Sequence, residues 1–265
     1  MDVAAVKQRQ RETWGLGDYS HISRVLRPAA LVLCDACAVS AGQKVLDVGA
    51  GDGNFAMACA REGASVVASD IAPAMVARGR KRSEAGGHPI EWVEADAEQL
   101  PFDDASFDCV GSVFGAFLAP RPEVAANEMF RVLRPGGTVG MTAWTPGSFG
   151  AEQFAIGRSY LPSQPGLPLA EEWGREQTVR ERFGGLAAAV ELERRTLSLE
   201  AGSPEEVVDA LGKSSGSWEA ARRVLPRERF AAMETEFREQ VQRRGGDGPV
   251  LIENEYLVIV ARKRR

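Results

Sequence analysis

From residue 41 onward, short β-branched runs alternate with longer stretches whose apolar residues recur at helical spacing, the pattern of βαβ units around a parallel sheet. The first run, Lys44, Val45, Leu46, Asp47 and Val48, stops abruptly in glycines. Residues 54–62 (NFAMACARE) then carry apolar positions at helical intervals, and Gly63 stands where a helix C-cap is expected. A second run at 65–69 (SVVAS) leads into a helix reaching about residue 83, with Pro73 in its first turn, where a missing N–H costs nothing. Further strands are predicted at 90–94 and 108–113, followed by a helix at 122–133. The turn Arg134-Pro135-Gly136-Gly137 then leads into a fifth strand at 138–144. A helix over 23–38 precedes the first strand.

After Trp144 the rhythm breaks. TPGSFG (145–150) and LPSQPGLP (161–168) are rich in Pro and Gly and read as an inserted lid. A helical stretch at 178–183 and a β-like one at 190–199 return to the sheet. The segment 203–244 is polar and helix-forming, opened by Ser203 as N-cap, Pro204 at the first helical position, and Glu205 and Glu206 in the first turn. A final strand is predicted at 252–261.

Composition narrows the function classes. The chain is 44% hydrophobic and 26% charged, as soluble globular domains are, and no apolar run approaches the ~20 residues of a membrane helix. Nothing near residue 1 reads as a secretory signal, so the expectation is a cytoplasmic protein with no membrane partner. The net charge of −5 supplies no basic field for a phosphate backbone, which argues against nucleic acid. The basic stretch Arg262, Lys263, Arg264 and Arg265 reads as a solvated chain end. Cys34 and Cys37 form a CxxC, but no second pair exists to complete a structural zinc site. Both read as buried helix thiols, as do Cys59 and Cys109, and no metal is expected.

The segment 45–54 (VLDVGAGDGN) carries the chemistry. It joins a buried strand to a helix through three glycines at spacing two, where a tight turn needs positive φ and a ligand touching the backbone needs the side chain absent. A dinucleotide enzyme would more often show G-x-G-x-x-G; here Asn54 takes the place of its third glycine. Asp70, after the second strand, can accept both ribose hydroxyls of an adenosine, or cap the next helix, and the two roles are compatible. Asp96, after the third strand, can accept from an adenine amino group. Three loops at the carboxyl ends of consecutive strands thus converge where open α/β sheets bind ligands.

With these motifs the chain resembles the class I methyltransferases, and within them the bacterial small-molecule branch similar to ubiquinone and menaquinone C-methyltransferases. The resemblance rests on VLDVGAGDG (45–53), SDIAPAMVARGR (69–80), EADAEQLPFDDASFDCVGS (94–112) and RVLRPGGTVGMTAW (131–144). It covers 41–144 strongly, 14–21 and 144–183 weakly, and 200–247 hardly at all. It implies S-adenosyl-L-methionine as cofactor, with Gly49, Ala50 and Gly51 lining the methionine moiety, Asp47 ordering that loop and Asp70 on the ribose. Ile71 would flank the adenine, Asp96 and Ala97 would hold its edge, and Ser112 and Val113 would lie under the sulfonium. The implied fold is α/β and Rossmann-like: a seven-stranded, mostly parallel sheet of order 3-2-1-4-5-7-6 with strand 7 antiparallel, helices on both faces and a helical lid. The corresponding organisation is a helical flap (1–40), a cofactor-binding core (41–144), lid and substrate-recognition insertions including strand six (145–250), and the final core strand (251–265).

The helix before strand one starts on the cofactor side, so Trp14, Tyr19, Ser20 and His21 sit where a flap could close. Phe114 and Phe117 beyond strand four, and Trp144 to Phe149 beyond strand five, open toward the same crevice. So many aromatic walls favour a small apolar or aromatic acceptor. Methyl transfer is an in-line displacement in which positioning and exclusion of water do much of the catalysis, so a base is optional. If one is needed, His21 is the candidate, with Tyr19 as its partner or as ligand for the methionine carboxylate; both equally suit the start of a helix. His88 precedes strand three on the far edge and is set aside. Arg158, Tyr160 and Trp173 are further candidate contacts on the lid. Two alternatives stand beside methyl transfer: an S-adenosylmethionine-binding protein or cyclase of the same fold, and a nicotinamide-dependent oxidoreductase, against which the missing third glycine and Asp96-Ala97 count. The acceptor, the atom methylated and any homo-oligomer stay open.

Overall fold

The β-branched runs form the strands of a seven-stranded sheet in a computed structural model that describes residues 2–162 and 166–265. In chain order the elements are α1 (Val3–Thr13), α2 (Ser20–Ala36), β1 (Lys44–Val48), α3 (Asn54–Arg61), β2 (Ser65–Asp70), α4 (Pro73–Ala85), β3 (Ile90–Glu94), β4 (Phe107–Val113), α5 (Pro122–Val132), β5 (Leu133–Trp144), α6 (Phe149–Tyr160), α7 (Glu176–Phe183), β6 (Ala187–Ala201), α8 (Pro204–Ser214), α9 (Gly216–Val224), α10 (Arg227–Gly245) and β7 (Val250–Lys263). Of the Pro- and Gly-rich stretch 161–168, residues 163–165 lie outside the described residues.

The strand order is β3-β2-β1-β4-β5-β7-β6. β1 pairs in parallel with β2 (Leu46 opposite Val67) and with β4 (Leu46 opposite Val110), whereas β7 runs antiparallel to both β5 and β6. Successive crossovers step one way from β1 to β3 and the other way from β4 to β5. Right-handed connections therefore put α3 and α4 on one face and α5 on the other, and the reversal between β1 and β4 opens the crevice. Two glycines in register, Gly111 on β4 and Gly140 on β5, let helices close down on the sheet. A Cβ on Gly111 would stand 2.1 Å from the Phe55 ring of α3, and one on Gly140 2.2 Å from the Cys37 sulfur just after α2. All four cysteines are buried and free, packed in this core.

Several boundaries differ from the sequence reading. The RPGG segment is not a turn before β5: the strand begins at Leu133, opposite Phe107, and the glycines form an irregularity inside the ladder, with Gly136 at φ +75°. TPGSFG leads into α6, because Ser148 caps it by accepting from the Ala151 N–H (3.3 Å). The helix-forming segment 203–244 resolves into three helices, broken at Ser215, which caps α9, and at Pro226, which starts α10. Ser203 caps α8 as expected, accepting from the Glu206 N–H (3.3 Å). The basic stretch is tied down: Lys263 donates to the Leu133 carbonyl (2.6 Å) and Arg264 to that of Ala187 (3.1 Å). Among the described residues no helix is long and apolar enough to cross a membrane.

Past the end of β5 the sheet narrows to a two-stranded ribbon. β5 ends at Trp144 opposite Tyr256, while β7 continues back to Val250, paired only with β6 up to Ala201. The helices α8, α9 and α10 fill the connection and build a second core on the ribbon. Phe149 of α6, Leu199 and Ile252 of the ribbon, and Val208, Phe230 and Phe237 of the insert are all buried there.

Candidate active site

The loop after β1 is held by one carboxylate. Asp70, the last residue of β2, accepts from the Gly51 N–H through Oδ2 (2.8 Å) and from the Ala72 N–H through Oδ1 (2.9 Å), joining the glycine loop to the start of α4. Burial pushes its carboxyl up to about 6, against the pull of those two N–H groups. Gly49 and Gly51 are left-handed (φ +64° and +57°), so they turn the chain sharply and leave bare backbone. Asp47 lies beneath them, fully enclosed. Its Oδ2 accepts from the Ala56 N–H of α3 (2.9 Å), its Oδ1 has no partner, and burial pushes it up to about 7.

The β4 loop touches the β1 loop at backbone distance. A Cβ on Gly115 would lie 2.2 Å from the Gly49 carbonyl oxygen. Ser112 straps the two together, donating to the Val48 carbonyl (2.6 Å) and accepting from the Ala116 N–H (2.8 Å). Phe114 follows in the left-handed region (φ +50°), which lays its ring against Trp144 with centroids 3.9 Å apart.

The N-terminal helices close the other side. Asp96 accepts from the Glu98 N–H (2.9 Å), and its second oxygen pairs with Lys7 of α1 (2.5 Å), which also reaches the enclosed Glu98 (2.6 Å). Tyr19, left-handed at the start of α2, lays its ring over Gly51: a Cβ there would stand 3.2 Å from the Tyr19 hydroxyl. Burial, with Asp52 and Asp70 nearby, raises that phenol and keeps it protonated. Asn54 anchors α2 to this loop by donating to the Ser23 carbonyl (2.7 Å), while its oxygen accepts from Arg82 (3.0 Å).

Between these walls lies a cavity of about 230 Å³. At one end it is lined by Gly49, Gly51, Asp70, Ile71, Asp96 and Ala97; at the other by Phe114, Trp144, Phe149, Phe154, Leu199, Leu211 and Trp218. The acid-and-glycine end is the crevice at the reversal of strand order.

Comparison with known proteins agrees with this geometry. Residues 46–141 match the family described as "Methyltransferase domain". Rv1403c of Mycobacterium tuberculosis (strain H37Rv), itself uncharacterised, is 35% identical over 258 residues, spanning 96% of this chain and 93% of its own length. Demethylmenaquinone methyltransferase of Clavibacter sepedonicus is 45% identical over 104 residues, 39% of this chain and 42% of its own. The chain belongs to the class I S-adenosylmethionine-dependent methyltransferases. The crystal structure of YcgJ from Bacillus subtilis superposes with a TM-score of 0.64 at 20% identity, over 90% of this chain and 99% of that one, and so shares the fold.

Within this methyltransferase the residues singled out from the sequence separate into two groups. Trp14, Tyr19, Gly49, Gly51, Asp70, Ile71, Asp96, Ala97, Phe114, Phe117, Trp144 and Phe149 line the cavity. Asp47, Ala50, Ser112 and Val113 do not; Asp47 and Ser112 brace the loops from behind, and the Ala50 N–H donates to the Ser69 carbonyl (2.9 Å). His21 is also off the wall: its N–H donates to the Ser214 hydroxyl (3.1 Å), its Nε2 is buried without a partner, and burial followed by Arg24 lowers its imidazole. Tyr19, Ile22 and Val25 line the cavity and His21 does not; its main chain is tied instead to Ser214 at the end of α8. Arg158 is paired with Glu171, Trp173 is buried against Phe183, and neither they nor Tyr160 reach the cavity. Sequence reasoning missed Gln10, Ile22, Val25, Gln153, Phe154, Leu197, Leu199, Leu211, Trp218 and Asn254, each of which reads locally as ordinary core or surface.

Proposed function

We propose that the enzyme holds S-adenosyl-L-methionine along Gly49, Gly51, Asp70 and Asp96, and moves its methyl group to a small, neutral, apolar or aromatic acceptor in the aromatic end of the same cavity. The observation that carries this reading is Asp70: one buried carboxylate faces the cavity while gripping the glycine loop through the Gly51 N–H. The residues present fit the cofactor. Asp70 keeps a free lone pair on each oxygen for two ribose hydroxyls, the left-handed glycines leave backbone bare for the amino-acid arm, and Ile71 and Ala97 offer an apolar slot for a flat base. Bound there, the cofactor supplies an electrophilic methyl group on a sulfonium.

The chain's own residues then do three things. Tyr19, kept protonated, donates a hydrogen bond toward the amino-acid arm rather than taking a proton. The Phe114–Trp144 stack gives a flat acceptor a surface to lie on. The apolar walls around the acceptor end, Phe114, Trp144, Phe149 and Phe154, keep water off the reacting groups, and alignment with desolvation is what they contribute to an in-line displacement. Among the described residues no Lys, Arg or His lines the cavity, and the acids that do, Asp70 and Asp96, stand at the cofactor end. The acceptor is therefore read as uncharged, and no side chain is assigned as general base.

Calorimetric titration with S-adenosylhomocysteine and with NAD tests the cofactor, and mass spectrometry of a neutral aromatic acceptor panel tests transfer. Micromolar binding of the first alone, with gain of a methyl group on some acceptor, is expected. Tight NAD binding, or cofactor binding with no methylated product across the panel, overturns the reading.

A further inference from the structure

We infer that the side-chain amides of Asn254 and Gln153 read a hydrogen-bond-accepting oxygen on the acceptor, so that the substrate class is a neutral planar molecule bearing a carbonyl or equivalent oxygen; this rests on the aromatic end of the cavity being the acceptor site. Asn254 lies on β7 in the ribbon beyond β5, opposite Leu197, and is 9% exposed. Its Oδ1 accepts from the Gly150 N–H (3.0 Å). A backbone N–H can only donate, so this bond fixes which end of the amide is oxygen and leaves Nδ2 over.

Among the described residues nothing accepts from Asn254 Nδ2. Gln153, one turn along α6 from Gly150, makes no side-chain hydrogen bond there either. Both amides line the cavity, among Phe149, Phe154, Leu197 and Leu199. A polar donor set into an apolar wall is costly unless its partner arrives with a ligand, and then it discriminates strongly against a ligand lacking that partner. The partner is a neutral oxygen: a carboxylate would enter with no cation to receive it, and an ammonium would meet a donor.

The test uses the full chain saturated with S-adenosylhomocysteine and three probes that differ at one group: acetophenone, ethylbenzene and benzoate. Tryptophan fluorescence and calorimetry, at mildly alkaline pH, give the affinities. Acetophenone is expected to bind about tenfold more tightly than ethylbenzene, with benzoate weakest. Asn254→Asp keeps an oxygen for the Gly150 N–H but loses the donor, and should erase the preference for acetophenone while ethylbenzene and S-adenosylhomocysteine bind as before. Asn254→Leu should erase it too, and a melting curve reports its fold.

Equal binding of the two neutral probes by the wild type, or a preference that survives in both variants, overturns the inference. So does tight S-adenosylhomocysteine binding with no probe bound, which leaves the cofactor reading standing. Absence of S-adenosylhomocysteine binding overturns the reading beneath it instead.

Discussion

The two ends of the cavity are built on different principles. The end proposed for the cofactor is made of backbone: three loops within residues 49–97, bare at Gly49 and Gly51, and tied by the carboxylate of Asp70. The end proposed for the acceptor is made of side chains contributed by α2, the loop after β4, β5, α6, β6, α8, α9 and β7, and it shares Phe149, Leu199 and Leu211 with the second core. Where backbone makes the site, one atom added in the wrong place is intolerable. Where side chains make it, substitution reshapes the site and the sheet is untouched. The first kind of wall suits a ligand that never changes, and the second a ligand that does.

Substitutions should separate the two ends. Asp70→Asn removes the charge that faces the cofactor and is expected to weaken S-adenosylhomocysteine by about 100-fold, near 2.7 kcal/mol, by calorimetry. Gly115→Ala drives a methyl group against the Gly49 carbonyl oxygen and should cost about 2 kcal/mol of the same affinity, with little change in the circular dichroism spectrum. A smaller effect is expected from pH. Ribose hydroxyls donate to the ionised form of Asp70, whose carboxyl sits at about 6 before the cofactor arrives, so affinity should be level above pH 7 and fall about tenfold by pH 5. Folding responds in the opposite sense: with the carboxyl raised from 3.8 to about 6, its burial costs stability that is absent below the lower value and fully felt above the higher. Asp70→Asn should flatten the binding profile in this range.

At the other end, Phe154→Ala should raise the acceptor KM roughly threefold to tenfold and leave S-adenosylhomocysteine affinity unchanged, since the ring packs on Phe117 away from the glycine loop. His21→Ala should change turnover with a true acceptor by less than about twofold, because its ring is off the cavity wall. Loss of cofactor binding in the Phe154 variant, or of turnover in the His21 variant, would dissolve the contrast between the two ends.

The same contrast decides what could be read before the structure. Parallel strands buried on both faces are short apolar runs, and the turn after β1 admits little but glycine, so β1 to β4 and that turn are legible from local sterics, while the roles of the acids come with the family resemblance. The strand order and the antiparallel β7 match the expectation drawn from the family resemblance. The acceptor wall has no such signature. Leu197, Leu199, Leu211 and Trp218 are core residues in sequence, and only the fold distinguishes those that face a void from those that face each other. α6 was hidden because Pro146 and Gly147 just before it look like a loop, while one serine suffices to cap a helix. His21 misled for a geometric reason: placing a residue near the start of a helix says which end of the sheet it occupies and nothing about which way it points.

The ribbon carries a further consequence. Ala201 and Val250 are opposite one another in a single rung of the β6–β7 ladder, so residues 202–249 leave and rejoin the sheet at one spot. Helices grafted between those two anchors can lengthen, shorten or be exchanged wholesale without shifting a single pairing below them. A change in those helices would redraw the wall given by Leu211 and Trp218, while the register of the strands beneath is set by pairings outside the insert.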